Sequence, residues 1–290
     1  MLKTDEELRR PLTLGAWIGT SGAAFSTGIG RETSLGVSLL LGAANVRLGT
    51  WWESSLGRPA GPGLVTRLTD KVFRTQTYLL HEFTAQFHGL ARPWQYLSDG
   101  GHFENTALYE LLRPERQVRL IVACDNGADP QYRFTDLANL IRLVRIDMQI
   151  ELEVDDGVMG DQVLAPLFGV PDDFRPREKG ERSAEAAARE PVALLLRATP
   201  AGRRQPSSWI VLLKPRVRRD SAADVREYAG RRPDFPQEST IDQFFDEAQW
   251  ESYRKLARDN AALVLQGAVW QALESHIARS GAPAAAAPAA

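Results

Sequence analysis

The residue types and spacing that first suggest chemistry lie in Ser98-Asp99-Gly100-Gly101-His102. An apolar run, WQYLS at 94–98, reaches a carboxylate, and two glycines follow before a helical stretch at 104–113. Glycines let a backbone turn sharply and approach a ligand closely. In α/β proteins the carboxyl ends of strands are where sites are built. A carboxylate placed there serves as a general base toward a hydroxyl nucleophile. The same residues also satisfy a plain turn, with Asp99 accepting backbone N–H groups and Glu104 or Asn105 opening the helix. Pattern alone leaves both readings open. His102 either faces the same pocket or caps the following helix.

A nucleophile for such a base would stand in a G-x-S-x-G turn between a strand and a helix, where its hydroxyl is exposed. No complete form of that motif occurs. The nearest is Gly19-Thr20-Ser21-Gly22-Ala23, which ends in alanine and follows LTLGAWI at 12–18, read as a buried strand. Ser21 is therefore a candidate nucleophile or a tight turn in the core. His81 and His88 lie seven residues apart, whereas paired ligands on a helix need four, so a structural role is expected and no metal or cofactor is implied. Cys124, the only cysteine, sits in an apolar run and reads as core. Asp125, Asp129 and Asp136 surround a strand-to-helix turn, where capping and cation binding both use carboxylates. Trp51 and Trp52 suit either an interfacial lipid contact or packing.

These residues need elements to hold them. QVRLIVACD at 117–125 predicts a buried parallel strand, and FTDLANLIRLVRID at 134–147 has apolar residues at helical spacing. MQIELEV at 148–154 alternates as a half-buried strand. PVALLLRAT at 191–199 and SSWIVLLKP at 207–215 read as a strand pair across AGRRQP. Further helices are expected at 33–48, 64–88, 221–229 and about 239–278. Strand and helix alternate, so the expected fold class is α/β, a mostly parallel sheet flanked by helices that includes 12–18, 94–98, 117–125 and 148–154. Residues 171–190 are charged and apolar-poor and read as a surface insertion. The Ala/Pro tail from 279 to 290 reads as disordered.

The formal net charge is -2, so no global field favours nucleic acid. A single cysteine rules out an internal disulfide, which suits a reducing compartment. The most apolar run, 35–46, is too short to span a bilayer. The expected location is cytoplasmic or peripheral to a membrane. A nucleotide-binding α/β domain is disfavoured, because no glycine-rich phosphate loop follows the first apolar run.

SDGGHFENTALYELL resembles the aspartate-glycine-glycine motif of bacterial patatin-like phospholipases. The blocks at 21–49, 119–152 and 212–256 are similar to the same group and fall in the same order, so the resemblance covers most of the chain. It implies a catalytic portion over 1–278, a Ser/Asp dyad that hydrolyses lipid esters, and Asp99 as the base. Gly100, Gly101 and His102 would shape the turn and substrate side. It also implies a sheet incomplete on its amino-terminal side, since the block holding Ser21 is similar to family sequence beyond the usual serine elbow. The nucleophile is then expected upstream or on a second chain, and the partner is a lipid or membrane surface. An exposed apolar patch at Trp17, Phe25, Trp51 and Trp52 would mark the uncovered side. A degenerate, non-catalytic relative that packs against a partner is the alternative.

Overall fold

The computed structural model describes residues 12–22, 49–53, 72–89, 94–176, 189–239 and 244–280. The predicted helix at 33–48, the first part (64–71) of that at 64–88, Phe25, the centre of the charged insertion and residues 281–290 lie outside the described residues, while Arg279 and Ser280, read as the start of a disordered tail, end a helix. The chain divides into two compact units, Met1–Asn105 and Thr106–Ala290.

In the first unit the predicted strand at 12–18 is a helix, α1, Leu14–Ser21. The Thr13 side chain caps its amino end by accepting the Ala16 N–H at 3.2 Å. A short apolar run bounded by turn residues fits either element, and here this local cap favours the helix. Leu14, Trp17 and Ile18 are 76%, 51% and 65% exposed, so α1 does carry an apolar surface. The strands β1, Thr50–Glu53, and β2, Trp94–Leu97, pair antiparallel with Trp51 opposite Tyr96. They form a two-stranded ribbon separate from the other strands. The expectation that 94–98 joins the main parallel sheet is thus corrected. Helix α2, Arg74–Phe83, adds Tyr78 to an aromatic cluster with Trp51, Phe87 and Tyr96. The Trp51 indole donates to Glu82 at 2.7 Å, so Trp51 is a packing residue, and Trp52 is half-buried.

The second unit holds a four-stranded sheet of β3, Leu120–Cys124; β4, Ile150–Val154; β5, Ala193–Pro200; and β6, Ser208–Leu213. The order is β3-β6-β5-β4. Only β3 and β6 run parallel; β6–β5 and β5–β4 are antiparallel. The sheet is therefore mixed, not mostly parallel. The hairpin across 201–207, with Gly202 at φ +76°, and the short step from the helix ahead of β4 set these directions. Directions are not encoded in an apolar run.

Alternation along β5 and β6 assigns the two faces. Leu194, Leu196, Ile210 and Leu212 pack with Leu137, Leu140 and Val144 of α4, Thr135–Met148. Leu195, Trp209, Val211 and Leu213 pack with Val264 and Leu273 of α7, Glu247–Leu265, and α8, Gly267–Ser280. Helices thus cover both faces of the central strands, giving a layered α/β unit. Gly267 at φ +59° separates α7 from α8, which the sequence presents as one long helix. The short helices α3, Leu108–Leu111, and α5, Pro171–Phe174, precede β3 and β5, and α6, Ala223–Arg231, precedes α7. Phe174 is 1% exposed, so the start of the charged insertion is anchored in the core. Cys124 faces the exposed side of the edge strand β3 and is not core.

At the carboxyl ends of the parallel strands, Lys214 follows β6 and Asp125 follows β3. Their Nζ and Oδ1 atoms are 3.0 Å apart, with side chains 1% and 4% exposed. Lys214 also donates to the Gly127 carbonyl at 3.1 Å, and the Gly127 N–H donates to Asp125 Oδ1 at 3.2 Å. Burial pushes the Asp125 carboxyl above its ordinary value, and the Lys214 ammonium pulls it back only in part. Removing one member of a buried pair strands the other. Lys214→Met should therefore cost about 3–5 kcal/mol in urea unfolding, with much of it recovered in Lys214→Met/Asp125→Leu. A loss within experimental error would show that the pair is dispensable.

The pH dependence has a defined sign. Folding raises the affinity of Asp125 for its proton. This group's contribution to stability is then full below the ordinary Asp value, about 4, and lost as pH rises through the higher folded value. A carbon-13 titration of the Asp125 carboxyl should show a midpoint above that ordinary value, moving higher still in Lys214→Met. A midpoint at or below it contradicts the assignment.

Candidate functional site

Asp99 lies two residues beyond the end of β2, at the carboxyl side of that strand, and is half-buried. It caps a 3-10 turn, Gly100–His102. Its Oδ1 accepts the Gly101 N–H at 2.9 Å, while Oδ2 has no hydrogen-bond partner among the described residues. One carboxylate oxygen is thereby fixed and the other is available, which is the geometry a positioned proton acceptor needs. The turn and cap role read from sequence is present as well. The two roles use different oxygens and do not compete.

The two glycines are not equivalent. A Cβ on Gly100 would meet nothing within 4 Å, whereas one on Gly101 would lie 2.4 Å from Asn105 Oδ1 and 3.4 Å from Asp99 Oδ1. A side chain at Gly101 would therefore have to displace the Asn105 side chain, whereas one at Gly100 would displace nothing. Neither position has the left-handed backbone that sequence reasoning attaches to glycine.

His102 turns back onto its own loop. Its Nδ1 lies 3.1 Å from the Asp99 carbonyl oxygen and 3.3 Å from Ser98 Oγ. Glu104, predicted to open the next helix, is buried, and that helix begins only at Leu108, behind Ala107 at φ +60°.

Ser21 is the last residue of α1 and is exposed, with Gly22 as the carboxyl cap. A serine elbow puts the hydroxyl after a strand and before a helix, where backbone N–H groups and the positive helix end face the oxyanion. The carboxyl end of a helix presents carbonyl groups instead. The structure thus gives Ser21 neither the strand nor the helix start of an elbow.

The remaining candidates take structural positions. Asp129 accepts the N–H groups of Arg133 and Phe134 at 2.9 and 2.7 Å, closing the turn ahead of α4. Asp125 is in the buried pair with Lys214. Among the described residues no group of three or more His, Cys, Asp or Glu is placed to hold a metal ion. The His81 and His88 rings meet edge to face at 4.7 Å, and His88 lies beyond the end of α2.

A second feature, unforeseen from sequence, belongs to the unit Thr106–Ala290. A cavity of about 400 Å³ opens at the carboxyl edge of β3 and β6, bordered by Asn126, Pro215 and Pro236. Glu238, Phe245, Trp250, Tyr253 and Arg254 are among its other lining residues. Trp250 and Tyr253, three apart on one helix face, were its only legible signal.

No protein-family model, no curated protein and no solved structure matches the chain. No helix among the described residues is long and apolar enough to cross a membrane.

The crowding at Gly101 yields a paired expectation. Gly101→Ala should lower stability by about 1–3 kcal/mol through overpacking against Asn105, whereas Gly100→Ala should fall within about 0.5 kcal/mol of the parent. Asn105→Ala combined with Gly101→Ala should recover part of the loss. Thermal melting of the three variants measures it, and equal effects at the two glycines would contradict this reading of the turn.

Proposed function

We propose that this chain is the acid-base portion of a lipid acyl hydrolase of the patatin-like type, with Asp99 as the general base. The observation that carries the reading is the state of Asp99. It is a half-buried carboxylate just beyond a strand end, held through Oδ1 by Gly101 and uncommitted at Oδ2 among the described residues. The motif that surrounds it, Ser98-Asp99-Gly100-Gly101-His102-Phe103-Glu104-Asn105, supplies the reaction class by resemblance.

The chemistry follows from a Ser/Asp dyad. Asp99 Oδ2 accepts the proton of a serine hydroxyl as that oxygen attacks the ester carbonyl. The proton passes to the departing alcohol, leaving an acyl-serine. Asp99 then takes a proton from water, whose oxygen attacks the acyl carbon, and returns that proton to the serine oxygen as the fatty acid leaves. In this reading the serine is contributed from outside the described residues or by a second chain, because Ser21 closes a helix.

A second reading has its own observation. Ser21 is the nearest approach to an elbow serine and has the wrong structural context. A non-catalytic relative that serves as a packing partner is consistent with that.

Two measurements separate the readings. A fluorophosphonate probe applied to the longest polypeptide the gene encodes should label one serine in the hydrolase, and none in the non-catalytic relative. In the labelled protein, Asp99→Asn should lower ester turnover by about 10²–10⁴-fold with unchanged melting temperature. Turnover retained in Asp99→Asn would remove the base assignment.

A further inference from the structure

The cavity at the carboxyl edge of β3 and β6 is of the size that small-molecule sites occupy, at about 400 Å³. Its walls are largely apolar, and the charges on them are unequally committed. Arg254 is exposed and already bound to Glu251, through Nε at 2.6 Å and Nη2 at 2.7 Å. Glu238 is held differently. Its Oε2 accepts from Gln249 Nε2 at 3.0 Å, and its Oε1 faces the Tyr228 hydroxyl at 3.4 Å. The Tyr253 hydroxyl lies against the backbone N–H of Glu238 at 3.4 Å. Every one of these partners is neutral, and Glu238 has no ion-pair partner among the described residues. Burial and the Glu238 carboxylate push the Tyr253 phenol well above the ordinary tyrosine range, so it stays uncharged beside that carboxylate.

Three aromatic side chains share the wall with this negative charge. Phe245 and Tyr253 have ring centroids 6.1 Å apart at 44°, and Trp250 is 63% exposed at the same cavity. Aromatic faces attract cations, and do so best when the cation is weakly hydrated and gives up its water readily. An anion would meet Glu238 and find Arg254 engaged. A neutral apolar ligand would strip water from Glu238 without replacing its charge contact. A hard metal ion needs several oxygen ligands, and the described residues of the wall supply one carboxylate.

We propose that this cavity binds a methylated ammonium group, with Glu238 as its counter-charge and Phe245, Trp250 and Tyr253 as its aromatic walls. The site belongs wholly to the unit Thr106–Ala290 and does not rest on the role of Asp99. The cation comes either as a free small molecule or as a lipid headgroup carrying the same trimethylammonium.

Calorimetric titration of the full chain with tetramethylammonium tests it. Saturable binding is expected, with sodium and ammonium ions at least about tenfold weaker. Choline should likewise bind at least about tenfold more tightly than 3,3-dimethylbutan-1-ol, its uncharged isostere. Glu238→Gln and Trp250→Ala should each weaken tetramethylammonium binding by about tenfold or more. Trp250 is exposed, so its alanine variant retains the fold even if loss of the Glu238 contacts does not allow it. Co-sedimentation with phosphatidylcholine but not phosphatidylglycerol vesicles, lost in Trp250→Ala, identifies the lipid headgroup as source. Binding of choline without vesicle binding identifies the free cation. Absence of saturable binding to tetramethylammonium overturns the proposal. So does equal affinity for the uncharged isostere, or binding unchanged in the folded Trp250→Ala variant.

Discussion

The buried pair between Lys214 and Asp125 is the constraint on which the second unit turns. The only parallel strand pair among the described residues, β3 and β6, ends at these two residues, and the Asp125 N–H extends the ladder by donating to the Leu213 carbonyl at 2.9 Å. Two opposite charges taken out of water are tolerated only with close geometry and further hydrogen bonds. Both conditions hold here, through the Gly127 carbonyl and N–H. From that turn the backbone reaches Asp129, whose carboxylate holds the start of α4 and whose N–H donates to Gln237 at 2.8 Å. Gln237 precedes Glu238. A continuous run of polar contacts thus leads from the end of the sheet to the wall of the cavity.

The hydrophobic layers make that run possible. β6 and the first half of β5 are buried along both faces, so their alternating side chains hold α4 on one side and α7 and α8 on the other. The edge strands are different. β3 leaves Leu120, Val122 and Cys124 exposed on one face, and β4 carries Glu151 and Glu153 outward to Arg145 and Arg197. Charged side chains on an outer strand keep that edge from pairing with another chain. At the other end of β4, Asp155 accepts the Gly157 N–H and meets His276 of α8 at 3.0 Å, which ties the last helix to the sheet.

Asp99 depends on none of this. Its orientation is set within a few residues by the Gly101 N–H and by the close packing of Gly101 against Asn105. A locally determined carboxylate keeps its geometry whatever covers it, so its chemistry is decided by the group brought to its free oxygen. The proposed hydrolase and the proposed cation site therefore stand on separate observations in separate units.

Long apolar runs and helical spacing made 117–125, 134–147 and the strand pair at 191–199 and 207–215 legible in the sequence, because burial of a periodic face is a local pattern. The Asp99 turn was legible for the same reason: its cap spans two residues. The strand read at 12–18 failed because seven apolar-rich residues fit a helix equally well, and the Thr13 cap favoured the helix. Strand direction was decided only in the folded chain, since an apolar run looks the same in either direction. So were the pairing of Lys214 with Asp125 and the meeting of Glu238 with Trp250 and Tyr253. Charges and aromatics far apart in sequence have no signature until packing excludes water and brings them within contact, and that exclusion is a property of the tertiary structure alone.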